Sequence, residues 1–323
     1  MRWAKMHIQP SKNNWKGRID SETDILSFRY HQKVKLANSF NNFTADPSAK
    51  TFGIIGFKCD EGVRRNKGRT GSAKAPDFIR QALAKLPWHL SSETELIDTG
   101  DIKCEGNQME HAQEKLGTEI SNLLKKSIFP LIFGGGHETF YGHYLGVRHH
   151  IGPEAKIGII NIDAHFDMRP YDECTSSGTM FKQILDNDPN SSYLVAGIQK
   201  QGNTQALFKT ADEHNVNYIL EEDITFEQID NVKSRINNFI AKNNFIVLTL
   251  CTDVISSAYA PGVSAPSAFG LEPKIVRALI RHIVSNSKIT SFDISEVNPS
   301  LDEGGRTVSL AALLLNDALL NIN

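Results

Sequence analysis

The chain has 323 residues, with 35 Lys and Arg against 37 Asp and Glu and a formal net charge of −2. That balance excludes the strongly basic surface of a nucleic-acid binder or of a protein held to acidic lipid. Cys59, Cys104, Cys174 and Cys251 are widely spaced and read as reduced thiols rather than a disulfide frame, while no apolar run approaches the ~20 residues of a membrane span.

The N-terminus, Met1-Arg2-Trp3-Ala4-Lys5, never reaches the apolar stretch of a signal peptide, so a cytoplasmic enzyme is expected. Residues 1–50 are polar and read as an irregular, partly helical arm. From residue 51 to 323 strands and helices alternate as one domain. Residues 52–57 form the first strand, and Ala75-Pro76-Asp77 opens a helix with Ile79, Leu83 and Leu86 on one face. Leu116, Ile120 and Leu123 mark the helix before a strand at 128–133, and a second apolar strand spans 157–162. A loop then runs through Ser177-Gly178 to a short strand at 193–196. Ile229, Val232, Ile236 and Phe239 give a helix leading into the strand 245–250. Pro273 opens the helix before the strand 289–294, and residues 306–320 close the chain as a helix. This alternation predicts an α/β fold, a three-layer αβα sandwich around a doubly wound, mostly parallel sheet.

Two clusters follow buried strands directly. They are Gly134-Gly135-Gly136-His137-Glu138 and Asp163-Ala164-His165-Phe166-Asp167. In a parallel sheet such positions face the ligand crevice. If Asp163, His165 and Asp167 lie on an extended segment, their side chains share one face. Crowding them together is costly unless a cation neutralises them. Two further strand ends carry acids, in Leu250-Cys251-Thr252-Asp253-Val254 and in Ser291-Phe292-Asp293-Ile294-Ser295-Glu296. With all four strands parallel, these groups surround one crevice. Oxygen-rich ligation with two imidazoles suits Mn²⁺, and such a ligand count is commonly used for two ions about 3.5–4 Å apart. Alone, His137 would read as a capping or core histidine. The triple glycine sits in no Gly-Lys-Ser or Gly-x-Gly-x-x-Gly context that would make it a phosphate cradle.

In order, these motifs, with Ala260-Pro261-Gly262 and Asp293-Ile294-Ser295-Glu296-Val297-Asn298-Pro299, resemble the ureohydrolase superfamily of arginases and agmatinases. The stretch from Gly56 to Asn66, the Glu138 after His137, and Ser177-Gly178-Thr179-Met180-Phe181 are similar to the formimidoylglutamases within it. The resemblance covers roughly residue 50 to the C-terminus and implies an arginase-like αβα sandwich. It implies metal-dependent hydrolysis of N-formimidoyl-L-glutamate to L-glutamate and formamide, a step of histidine breakdown, through a metal-activated hydroxide.

Carried over by position, one metal takes His137, Asp163 and Asp167, and the other takes His165, Asp163 and Asp253. The family's aspartate touching both ions falls at Cys251, a softer ligand that favours Zn²⁺ or Fe²⁺ over Mn²⁺ if it ligates, or leaves the second site doubtful if it does not. Asp167 would shuttle a proton and Glu296 would meet the amidinium. Arg169, Ser177 and Thr179 would hold the glutamate end. So would one arginine of the basic loop carrying Arg64, Arg65 and Arg69, because bidentate arginine matches a carboxylate. The alternatives are a guanidine substrate such as agmatine, which would call for extra acidic groups in the pocket, and a metal-poor, non-catalytic member that lost its cluster at Cys251. The partner is a small-molecule substrate, with no nucleic acid and no membrane. Homo-oligomerisation stays open.

Overall fold

The computed structural model describes residues 6–37 and 49–323, so part of the expected arm (1–5 and 38–48) lies outside the described residues. Among the described residues there are ten strands: β1 His7–Ile8, β2 Lys35–Leu36, β3 Lys50–Lys58, β4 Thr94–Lys103, β5 Phe129–Phe133, β6 Ile157–Ile162, β7 Ser191–Ile198, β8 Asn217–Leu220, β9 Phe245–Cys251 and β10 Ile289–Ser295. They form one sheet in the order β1-β4-β3-β5-β10-β9-β6-β7-β8, with β2 also paired to β4. Every pairing is parallel except β1 with β4.

The strands read as continuous apolar runs because both faces are covered. Alternate residues divide between the faces. Leu131, Phe133, Ile160, Ile162, Leu248 and Leu250 pack with Ile79, Leu83, Leu279, Ile283 and Leu315 from helices on one side. Ile157, Ile159 and Val247 face Phe140, Tyr144 and Val147 on the other, and Ile55, Phe57 and Ile132 face Leu116 and Ile120. This is the predicted three-layer arrangement. Among the described residues no helix is long and apolar enough to cross a membrane.

Four strands were not foreseen: the two-residue β1 and β2 within the expected arm, β4 and β8. β4 carries Glu95, Asp98 and Asp101, a composition that reads as loop. It enters the sheet because Arg80, fully buried, neutralises it: Nε and Nη2 donate to Asp98 at 2.9 and 2.8 Å, and Nη1 to Asp101 at 2.6 Å. β8 is only four residues long, too short for a periodicity to register. Residues of the expected arm lie against the β4 edge. The Trp15 indole donates to Asp98 at 2.7 Å, and the Tyr30 hydroxyl to Asn316 at 2.8 Å.

The strands β5, β10, β9 and β6 are consecutive in the sheet and parallel, as the four ligand-bearing strands were expected to be. Their C-terminal ends lie at the centre of the sheet. That is where an open α/β sheet forms its binding crevice.

Candidate metal centre

The loop after β5 is held by backbone. Gly134 N donates to Ile294 O at 2.8 Å, Gly136 N to Cys59 O at 2.9 Å, and Glu296 N to Gly135 O at 2.8 Å. Gly135 permits this approach, since a Cβ there would fall 1.8 Å from the Cys59 carbonyl oxygen. The loop delivers His137 into the interior, and its backbone N–H donates to Glu296 Oε1 at 2.9 Å.

The imidazole Nδ1 of His137 lies 3.0 Å from Asp163 Oδ2 and 2.9 Å from Asp167 Oδ2. His165 Nδ1 lies 3.2 Å from Asp253 Oδ2 and 3.6 Å from Asp163 Oδ1. The second cluster is not the extended segment expected from its alternation. The chain turns after β6, and Asp167 adopts φ 49°, a left-handed conformation rare for a non-glycine residue. Glu296 does the same at φ 67°. The three side chains still converge, through a bend rather than a shared strand face. Two donor sets result, each with atoms within 4.8 Å of one another: His137, Asp163 and Cys251, and Asp163, His165 and Asp253. Asp163 belongs to both.

The electrostatics describe a centre short of positive charge. Burial pushes the Asp167 carboxyl up to about 6, helped by the charge on Asp163. Burial raises Glu296 well above the carboxylate range, with Glu138 and Asp253 adding to it. Burial, then the charges of Asp163 and Asp253, raise the Cys251 thiol. Burial alone would lower both imidazoles, but hydrogen bonds and charges from Asp163, Asp167 and Asp253 outweigh it and raise them. Asp253 Oδ1 is buried with no hydrogen-bond partner. A buried carboxylate oxygen with no donor, facing imidazole and carboxylate neighbours, fits a divalent cation. His137, Asp163, Cys251, His165 and Asp253 could hold it, with Asp167 beside His137 as a further ligand.

Above lies a crevice of about 450 Å³. His137, His165, Asp167, Cys251, Asp253 and Glu296 line it, and Asn66, Arg69, Arg169, Ser177, Asn203 and Ser264 contribute polar wall. Arg169 and Ser177 are where the sequence placed them. Arg64 and Arg65 are not, and that expectation is corrected. The helix Glu61–Arg65 puts Glu61 one turn below both, so Arg64 pairs with it at 2.6 Å and Arg65 at 2.9 Å. Arg65 also binds Glu110 and the Thr175 carbonyl, and both arginines line a separate surface hollow. The arginine of this loop that reaches the crevice is Arg69, braced by the Ser264 and Val263 carbonyls at 2.9 Å each. Thr179 is corrected too. It is buried, with its hydroxyl engaged by Ser176 and Gln183 in the turn before the helix Met180–Asn187, and it does not line the crevice. Asn203 was missed and carries no sequence signal. Its side chain bonds the Phe166 N–H and Ala164 carbonyl, which shape the second cluster.

Residues 50–321 match the Arginase family. A curated formimidoylglutamase from Geobacillus sp. (strain WCH70) is 53% identical over 318 residues, covering 98% of this chain and 97% of the relative. Among solved structures, formimidoylglutamase from Bacillus subtilis superposes with a TM-score of 0.80 at 25% identity, over 93% of this chain and 92% of that one. Trypanosoma cruzi formiminoglutamase with Mn²⁺ superposes with a TM-score of 0.76 at 25% identity, over 86% of this chain and 96% of that one.

Proposed function

The chain belongs to the Arginase family, and from that premise we propose that it is a formimidoylglutamase, hydrolysing N-formimidoyl-L-glutamate with water to L-glutamate and formamide. The observation that carries the site assignment is the pair of donor sets sharing Asp163 beneath a crevice walled by Arg69 and Arg169. We assign two Mn²⁺ ions to those sets, with Zn²⁺ or Fe²⁺ favoured where Cys251 ligates. Bound divalent ions lower the pKa of water and neutralise charge that develops on the amidine during hydrolysis.

The protein's own groups do the rest. Glu296, lining the crevice, is placed to hydrogen-bond the amidinium nitrogens and orient the reacting carbon. Its Oε1 is already fixed by the His137 N–H, so the carboxylate is held before substrate arrives. Asp167, which lines the crevice with its Oδ2 2.9 Å from His137 Nδ1, can accept a proton from attacking water and return it to the departing amine of glutamate. Arg169 and Arg69 present guanidinium groups to the two carboxylates of the substrate, and Ser177 adds a hydroxyl.

The test is an assay of the metal-loaded protein on formimidoylglutamate, arginine and agmatine. Formimidoylglutamate is expected to exceed the other two by well over about tenfold in kcat/KM, since each lost arginine–carboxylate pair is worth roughly a decade or more. A preference for agmatine or arginine would overturn the substrate assignment while leaving the family intact.

A further inference from the structure

Below the metal centre, away from the crevice, a chain of hydrogen bonds runs into the sheet. His137 Nε2 lies 3.0 Å from Thr249 Oγ1, and the Thr249 hydroxyl donates to Asp293 Oδ1 at 2.9 Å. Ser295 also donates to Asp293 Oδ1, at 3.0 Å, and Asp293 Oδ2 lies 2.7 Å from His143 Nδ1. His143 Nε2 lies 2.6 Å from Ser291 Oγ. Every residue of this chain is buried. Asp293 and Thr249 face each other across β10 and β9 because those positions are directly in register. His143 reaches them from the helix Thr139–Ile151, which packs over the sheet.

We infer that Asp293, acting through Thr249, is a positioning group that fixes the tautomer in which His137 offers Nδ1 to a metal ion. This rests on the metal reading above. The argument follows from counting protons. A carboxylate oxygen only accepts, and a threonine hydroxyl has one proton to give. With that proton committed to Asp293, Thr249 can only accept from His137, so Nε2 must carry the hydrogen. A neutral imidazole protonated at Nε2 has its lone pair on Nδ1, the atom that faces Asp163 and Asp167. The carboxylate behind the hydroxyl also makes Nδ1 more basic, as outer partners of metal-bound histidines generally do. His143 and Ser295 take two further acceptor sites of Asp293, one on each oxygen, which keeps its oxygens from rotating away.

Thr249→Val removes both roles of the hydroxyl at nearly constant shape, while Thr249→Ser keeps them. Mn²⁺ affinity of the full-length protein, measured by competition with a chelating dye, is expected to fall about ten- to a hundredfold in Thr249→Val, the usual loss for an outer partner of a metal ligand. Thr249→Ser should bind as the parent does, and KM for substrate should change little in either. As a measurement that needs no variant, ¹⁵N-histidine spectra of the parent loaded with diamagnetic Zn²⁺ should show His137 carrying its proton on Nε2. Parent-like Mn²⁺ affinity in folded Thr249→Val, or a His137 proton on Nδ1, would overturn the inference. A parent that binds no Mn²⁺ would overturn the metal reading itself, a separate and recognisable result.

Discussion

Arg80 and His137 are each 1% exposed against the same sheet, yet their surroundings differ in what is left over. Around Arg80, all five guanidinium N–H groups find acceptors, on Asp98, Asp101, and the Pro76 and Gly100 carbonyls. Lys58 adds a second cation 3.0 Å from Asp101. Burial would raise Asp101, but Arg80 and Lys58 hold it below the usual carboxylate range. Around His137 the acids Asp163, Asp167, Asp253 and Glu296 outnumber the two imidazoles, Asp253 keeps an unpartnered oxygen, and burial pushes the Asp167 and Glu296 carboxyls above their usual range. The first cluster is complete as the chain folds. The second keeps acceptors over, as a site for a cation would.

The two clusters should therefore respond to mutation in opposite ways. Asp163→Ala removes the ligand common to both donor sets, and hydrolysis should fall about 10³-fold or more, the order lost with a main charge-stabilising group. In the apo-protein the same change removes the pairing of Asp163 with both imidazoles but also its repulsion of Asp167, so stability should change less than it does in Arg80→Met. Arg80→Met should do the reverse. Stranding two buried carboxylates costs about 3–5 kcal/mol, read as a lower urea midpoint with or without metal. A large apo-stability loss in Asp163→Ala would break the contrast.

pH sharpens it further. Asp167 ionises near 6 in the folded state and near 3.9 when unfolded. Between those values the folded form holds the extra proton, so stability falls as pH rises through the window. Raised imidazoles act in the same sense, their stabilisation being present below ~6.5 and lost as pH climbs. Asp101, lowered, contributes stability above ~4 that is lost in stronger acid. The apo-protein should thus gain thermal stability as pH is lowered from about 8 to about 5. Mn²⁺-loaded protein should lose it over that range, since protons compete with the metal. Parallel curves for the two forms would contradict this account.

Smaller effects concern the crevice wall and the thiol. Arg169→Ala and Arg69→Ala should each raise KM about tenfold, as expected for a hydrogen bond to a charged group. Arg64→Ala, already paired with Glu61 and pointing elsewhere, should leave KM within about twofold. Cys251→Asp, supplying two oxygens where one sulfur stood, should tighten Mn²⁺ binding and so raise activity severalfold at limiting Mn²⁺. Thiols favour softer ions.

The sequence was legible wherever a motif sat at a strand end. The glycine-rich turn into His137, and Asp163, His165 and Asp167 after β6, identify the centre because apolar runs announce the strands that end there. β4 was illegible for the converse reason. Its Asp98 and Asp101 look like loop residues until Arg80, distant in sequence and itself unremarkable, is seen to neutralise them. Arg64, Arg65 and Arg69 were indistinguishable as a basic run. Helical spacing from Glu61 turns the first two away, and only the fold brings Arg69 beside Ser264. Asp293 could be read as acidic near a strand end, but not that it lies inside the sheet opposite Thr249.

The central claim is that the incomplete cluster is an enzyme's metal centre, and stoichiometric titration tests it most directly. Apo-protein prepared by chelator dialysis should be inactive on formimidoylglutamate. Activity should then rise in step with bound Mn²⁺ and level off near two ions per chain. Full activity in protein shown to be metal-free would contradict it.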